Sequence, residues 1–132
     1  ELTVFVAIDA PVKFCVLKLR NASGRSRRLS VTGYVQWVLG DEARKTRMQV
    51  STRVDAGSGA LFASNPYNTE FAGRTAWFDT DDMAGSSITG DRCEFLGREG
   101  SLRDPAAMSQ SLLSGALGQA LDPCAAIRTP CE

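Results

Sequence analysis

The side chains best suited to chemistry in this sequence are carboxylates, arginines and aromatics, because it contains no histidine. Without imidazole the chain lacks the usual general base near neutral pH, the commonest metal ligand and the base of a Ser-His-Asp triad. Paired carboxylates remain for acid–base work on a glycosidic bond, and the candidates are Asp79, Asp81, Asp82, Asp91 and Glu94. Adjacent residues on a strand point to opposite faces, and Asp81-Asp82 runs into Met83-Ala84-Gly85-Ser86, so these read as solvated loop acids. Gly57-Ser58-Gly59 does not open a helix, which removes a phosphate cradle. Cys15, Cys93, Cys124 and Cys131 form no Cys-x-x-Cys pair, so neither a metal site nor a cofactor is expected. Free thiols are the default; a Cys124–Cys131 disulfide stays open as an alternative.

Sugar rings stack on aromatic faces while their hydroxyls bond to Asn, Asp and Arg. Trp37 shares a face with large apolar residues and reads as core. Trp77 adjoins Phe78, so on a strand one of the two faces away from the other. Tyr67 and Asn68 lie in the loop sequence Asn65-Pro66-Tyr67-Asn68, where binding residues concentrate. Tyr67, Asn68 and Trp77 are therefore the carbohydrate-contact candidates. Taken alone, Tyr67 and Trp77 would suit a free-standing carbohydrate-binding module. Fifteen basic and fifteen acidic side chains cancel, and the small cluster Arg25, Arg27, Arg28 does not make a nucleic-acid footprint. No apolar run approaches the roughly 20 residues that span a bilayer, so no membrane contact is expected.

These residues need a scaffold, and the pattern that supplies it is periodicity of two. At 43% hydrophobic and 23% charged, 132 residues have the composition of one globular domain. From Arg27 to Gly40, Leu29, Val31, Val35, Trp37 and Leu39 alternate with Ser30, Thr32, Tyr34 and Gln36, predicting a long strand with a polar second face. Gly33 sits on its apolar side, where a large core side chain such as Trp37 is expected to pack over it. Strands are also predicted over 2–8, 12–20, 48–54, 60–64, 74–79 and 124–129, separated by turns rich in Gly, Asp and Asn; in the one over 48–54, Met48, Val50, Thr52 and Val54 alternate with Arg47, Gln49, Ser51 and Arg53, giving a polar outer face. The five-residue connection Asn21 to Arg25 predicts antiparallel pairing of the second and third strands. Asp104-Pro105-Ala106-Ala107 predicts a short helix near 105–113. The class is all-β, an antiparallel sandwich or barrel. A third strand well beyond the usual length of about 5–6 residues implies a larger sheet than this chain builds. With strand-like runs at both ends, the expectation is a single β domain over 1–132, excised from a longer polypeptide, whose open edges drive self-association.

The ordered segments Leu17-Lys18-Leu19-Arg20-Asn21, Leu29 to Val35, Val38-Leu39-Gly40, Ala63 to Asn68, Thr89 to Arg98, and Gly118 to Ala126 resemble the β-sandwich domain of glycoside hydrolase family 94, formerly glycosyltransferase family 36. That family includes cellobiose and chitobiose phosphorylases and cyclic β-1,2-glucan synthases, and the likeness is closest to the last. It implies a partial sandwich of the galactose-mutarotase-like, or supersandwich, type. In the family an α/α barrel after the sandwich carries the general acid, so no catalytic residue maps onto this chain. The resemblance further implies a glycosyltransferase or glycoside phosphorylase acting on β-glucan as the parent. The partners it implies are β-glucan or an oligosaccharide, the remainder of the parent, and a second copy. It also implies a place on the cytoplasmic face, within a larger bacterial-type enzyme that can be membrane-attached. A sandwich loop can approach the neighbouring subunit's active site, which makes Arg92 and Arg98, in the segment Gly90 to Gly100, contact candidates. The alternative there is an Asp91–Arg92 pair that fixes a turn. Aldose mutarotase activity follows from fold analogy only, and the missing histidine argues against it.

Overall fold

The computed structural model describes residues 1–70 and 72–131. Phe71 and Glu132, the latter expected to follow the last strand directly, lie outside that description. The strands among the described residues are β1 (Leu2–Val6), β2 (Lys13–Leu17), β3 (Leu29–Gln36), β4 (Ser51–Val54), β5 (Leu61–Ser64), β6 (Thr75–Phe78), β7 (Ser87–Asp91), β8 (Gly118–Gln119) and β9 (Pro123–Cys131). Two short helices, α1 (Ala43–Thr46) and α2 (Arg92–Leu96), interrupt them. The strands form a two-stranded ribbon β1-β2, a three-stranded sheet β3-β9-β7 and a four-stranded sheet β6-β5-β4-β8, every pair antiparallel.

The alternating run forms β3, but its partner is not the second strand. β3 pairs with β9 over its whole length, from Leu29↔Cys131 to Gln36↔Cys124, while β2 pairs with β1. The turn chemistry at Asn21 is real, since its side chain accepts from Ser23 N at 3.0 Å and donates to Arg25 O at 2.6 Å. It does not close a hairpin, because β9 buries β3 whereas the β1-β2 ribbon offers no cover. Pro123 to Arg128 are all buried, so β9 is the central strand, covered on both faces. Its small residues let two layers approach it. On one side Ala125 and Ile127 pack with Trp37, which follows β3, and with Val50, Leu61 and Ala63 of the four-stranded layer. On the other, Cys124 and Ala126 pack with Phe95, Leu96, Ala107 and Leu113. The polar second face expected for β3 is therefore half right: Tyr34 lies there, but it stacks on Phe95 at 4.8 Å between ring centroids.

Gly33 meets the first core. A Cβ at this position would lie 2.7 Å from Phe78 Cζ, so the side chain that packs over it is Phe78 of β6 rather than Trp37. The predicted strand over 48–54 begins only at Ser51, because Ala43–Thr46 and the 3-10 turn Arg47–Gln49 precede it and leave Met48 exposed. The helix expected near 105–113 is a single 3-10 turn, Ala106–Ser109. The ribbon differs from the rest of the molecule in that every residue of β1 and β2 is exposed. Phe5 and Phe14 stack on each other at 5.1 Å, and Leu2, Val4, Val6, Val16 and Leu17 face solvent. No helix among the described residues is long and apolar enough to cross a membrane.

Candidate functional site

The four-stranded sheet has one face in the core and one in water, and alternation along each strand sorts the residues. Thr52, Val54, Leu61, Ala63, Ala76 and Phe78 point inward, which leaves Arg53, Phe62 and Trp77 outward. Register then aligns these three, since Arg53 lies opposite Phe62 and Phe62 opposite Trp77. The Arg53 guanidinium carbon is 4.6 Å from the Phe62 ring centroid, a cation–π contact that covers part of the ring. Trp77, on the edge strand, is 49% exposed. Of the sequence candidates, Trp77 thus presents an accessible indole.

Beside the β5–β6 connection lies an open recess of about 330 Å³, lined by residues that include Val38, Leu39, Asn65, Asn68, Arg74 and Thr75. Asn65 builds its wall. Buried to 5% exposure, it donates from Nδ2 to Leu39 O at 2.8 Å and accepts from Tyr67 N at 3.0 Å. This Asx turn throws Tyr67 outward to 68% exposure, outside the lining of the recess. Asn68 does line it, and its Oδ1 accepts from Glu70 N at 3.0 Å. Thr75 connects the two features, because it lines the recess and sits two residues from Trp77 on the same face of β6.

Arg92 and Arg98 belong to a different part of the molecule, the α2 side of the middle sheet. Asp91 caps α2, its Oδ1 accepting from Cys93 N at 2.8 Å and from Glu94 N. The Asp91–Arg92 pair is absent: Arg92 Nη1 instead donates to Asp122 Oδ2 at 2.7 Å. Arg98 is exposed just past the helix. Asn68 thus lines the recess at the β5–β6 end of the four-stranded sheet with Tyr67 exposed in the same connection, Trp77 lies on the outer face of β6, and Arg92 and Arg98 lie on another part of the molecule.

The acids hold turns. Asp79 accepts from Thr80 N at 2.9 Å and Asp82 from Ala84 N at 2.8 Å. Glu94 joins two segments remote in sequence, accepting from Thr89 Oγ1, from Ser114 Oγ and from Ser114 N at 3.0 Å. Burial opposes its charge, but the bonds from Ser114 and Thr89 outweigh burial and hold the carboxyl below its ordinary value. A depressed folded-state pKa contributes stability that is present above the unfolded value and is lost as pH falls through the folded one. Urea midpoints should therefore show a Glu94→Gln variant less stable than the parent at pH 7, with the gap narrowing as pH falls below about 4.3. A gap independent of pH would mean that the carboxylate charge is not what the two serine and threonine hydroxyls hold.

No cluster of metal-ligating residues occurs among the described residues. All four cysteines are free thiols, and burial pushes the Cys124 thiol up to about 12, which makes it a packing residue. What sequence reasoning missed is Phe62 and its alignment with Arg53. Alternation marked Arg53 as outward, but nothing local told which residue of which strand would lie opposite it.

Comparison with known proteins gives two findings. The family described as "Glycosyl hydrolase 94, supersandwich domain" matches residues 1–132. The chain is also 40% identical over 121 residues to "Cyclic beta-(1,2)-glucan synthase NdvB" of Rhizobium meliloti (strain 1021). That match covers 90% of this chain and 4% of the relative.

Proposed function

Because the chain belongs to the supersandwich-domain family of glycosyl hydrolase 94, we propose that it is a non-catalytic β-sandwich domain of a larger enzyme that makes or breaks β-glucan. The observation that carries this reading is the engagement of its most embedded carboxylates. Asp91 caps a helix, Glu94 is bonded to Thr89 and Ser114, and Asp122 is paired with Arg92, so none stands ready as acid or nucleophile. The relative's printed activity, cyclic β-(1,2)-glucan synthesis, supports β-glucan as the polymer the parent makes or breaks. The role of the domain is structural, with glucan contact at the end of the sheet that carries Asn68, Tyr67 and Trp77. Its place is the cytoplasmic face, as part of a larger bacterial-type enzyme that can be membrane-attached.

Grafted in place of the matched 121 residues of the Rhizobium meliloti relative, the domain should support β-glucan formation, while the isolated chain should neither form nor cleave β-glucan. A graft that folds yet abolishes synthesis, or turnover by the isolated chain, would sink the reading.

The β1-β2 ribbon supports a second part of it, association with another copy. A two-stranded ribbon is marginal in water, and this one displays Phe5, Phe14 and Leu17 with nothing over them. Sedimentation of the chain alone should show reversible dimers or larger species, and Phe5→Lys with Phe14→Lys should return it to monomer. A monomer at high concentration would remove this part of the proposal.

A further inference from the structure

The row Arg53–Phe62–Trp77 has a neighbour. One pleat further along the same face, Thr75 lies opposite Ser64, Ser64 opposite Ser51, and Ser51 opposite Gln119, a polar row across all four strands. Strand spacing makes this row about 14 Å long, and residues two apart on a strand put it about 7 Å from the aromatic one. Among the described residues, none of these four side chains has a hydrogen bond of its own within the protein. The face thus carries unengaged hydroxyl and amide groups in one line, with aromatic rings and a guanidinium in the next.

We propose that the solvent face of the four-stranded sheet is a docking platform for a β-linked glucan chain, which lies across the strands on Trp77 and Phe62 and bonds to the row Thr75–Ser64–Ser51–Gln119. This deepens the glucan-contacting reading above and rests on it. The chemistry selects the occupant. A protein partner packed dry on this face would strip water from three hydroxyls, an amide and Arg53 without matching each of them, a cost for every unpaired group. A nucleic acid would need many cations, and the aromatic row carries a single arginine while the chain has no net charge. A glucan satisfies both rows at once, its ring C–H faces resting on the aromatics and its hydroxyls exchanging donors and acceptors with Ser, Thr and Gln. Trp77 on the edge strand leaves the platform open at one side, and Thr75 joins it to the recess that Asn68 lines.

Titration of the 132-residue chain with linear β-(1,2)-linked gluco-oligosaccharides, and with β-(1,4)-linked ones for comparison, tests this by calorimetry and tryptophan fluorescence. Trp37 is 8% exposed and Trp77 49%, so the emission that responds to sugar should be that of Trp77. Trp77→Ala and Phe62→Ala should each weaken binding by roughly tenfold, Trp77→Phe should restore much of the loss, and Ser64→Val should weaken binding without altering the emission of the free protein. Trp77 is exposed, so its variants should melt near the parent temperature; Phe62 and Ser64 are half-buried on the outer face, so binding by their variants is compared well below their own melting temperatures. Loss in the variants with either linkage supports the platform. Wild-type binding that neither aromatic substitution changes would place glucan contact elsewhere and overturn the platform alone. No binding by the wild-type chain at about 10 mM sugar would overturn the platform and the glucan contact together, leaving the non-catalytic reading to the graft experiment.

Discussion

Replacing Arg128 by methionine should lower the stability of this chain by about 3 kcal/mol, the largest effect expected of a single substitution outside the apolar core. Arg128 is 5% exposed, yet no carboxylate among the described residues lies within ion-pair distance of it. Its charge is met by oxygen dipoles instead. Nη1 donates to Gln110 O at 2.6 Å, Nη2 to Ala107 O at 2.7 Å and Nε to Thr32 Oγ1 at 3.3 Å. One side chain of β9 therefore ties the 3-10 turn Ala106–Ser109 to the three-stranded sheet, adding a second donor to the Ala107 carbonyl beside Gln110 N and supplying one to the Gln110 carbonyl. Methionine would fill the volume and remove the desolvation cost of a buried ion. Against that gain, Ala107 is fully buried, so its carbonyl would lose a charge-assisted bond with no water to replace it. The second effect should be larger, because three donated bonds go at once and the buried Ala107 carbonyl keeps only the bond from Gln110 N. Urea unfolding should show a lower midpoint at unchanged slope, and hydrogen exchange should speed up at Gln110 N, which bonds to Ala107 O. An unchanged midpoint would show that the turn is held by Ala107 and Leu113 packing rather than by Arg128.

Gly33→Val should cost about 2 kcal/mol even though valine is the better strand former. The backbone at Gly33 is ordinary strand, absent from the glycines that adopt positive φ, so no backbone strain enters. What resists the substitution is space: a Cβ would stand 2.7 Å from Phe78 Cζ, and the γ-methyls of valine would reach further into the ring. Phe78 belongs to β6 and is part of the layer between the two sheets, so it cannot retreat without opening that core. Gly33→Ala should be intermediate, and Phe78→Leu should partly rescue Gly33→Val, giving a favourable coupling in a double-mutant cycle. Thermal melting measures the parent and all four variants, and a valine variant that melts higher than the parent would show that β3 and β6 do not press together here.

Several features of this protein were legible in the chain itself because they depend on neighbours in sequence. Alternation placed Leu29 to Gln36 in a strand, put Gly33 on its packed side and turned Arg53 outward. The Asx turn of Asn65, which sends Tyr67 into solvent, is likewise local. The absence of histidine set aside several enzyme classes before any fold was known, and the ordered segments indicated the family. Pairing was a different matter. Asn21 to Arg25 has the composition of a hairpin, yet β3 left β2 for β9, at the far end of the sequence, because only there could one ladder bury two faces. The second face of β3 looked polar until α2 covered it and drew Tyr34 onto Phe95. Arg92 could be matched with Asp91 on adjacency, but an N-cap and a partner thirty residues distant satisfied both better. The row Arg53–Phe62–Trp77 required the register of three strands at once. Side-chain periodicity is carried by a few consecutive residues, whereas strand partners and cross-strand rows are set by which remote segments, once brought together, leave the fewest apolar surfaces and backbone groups in the wrong environment.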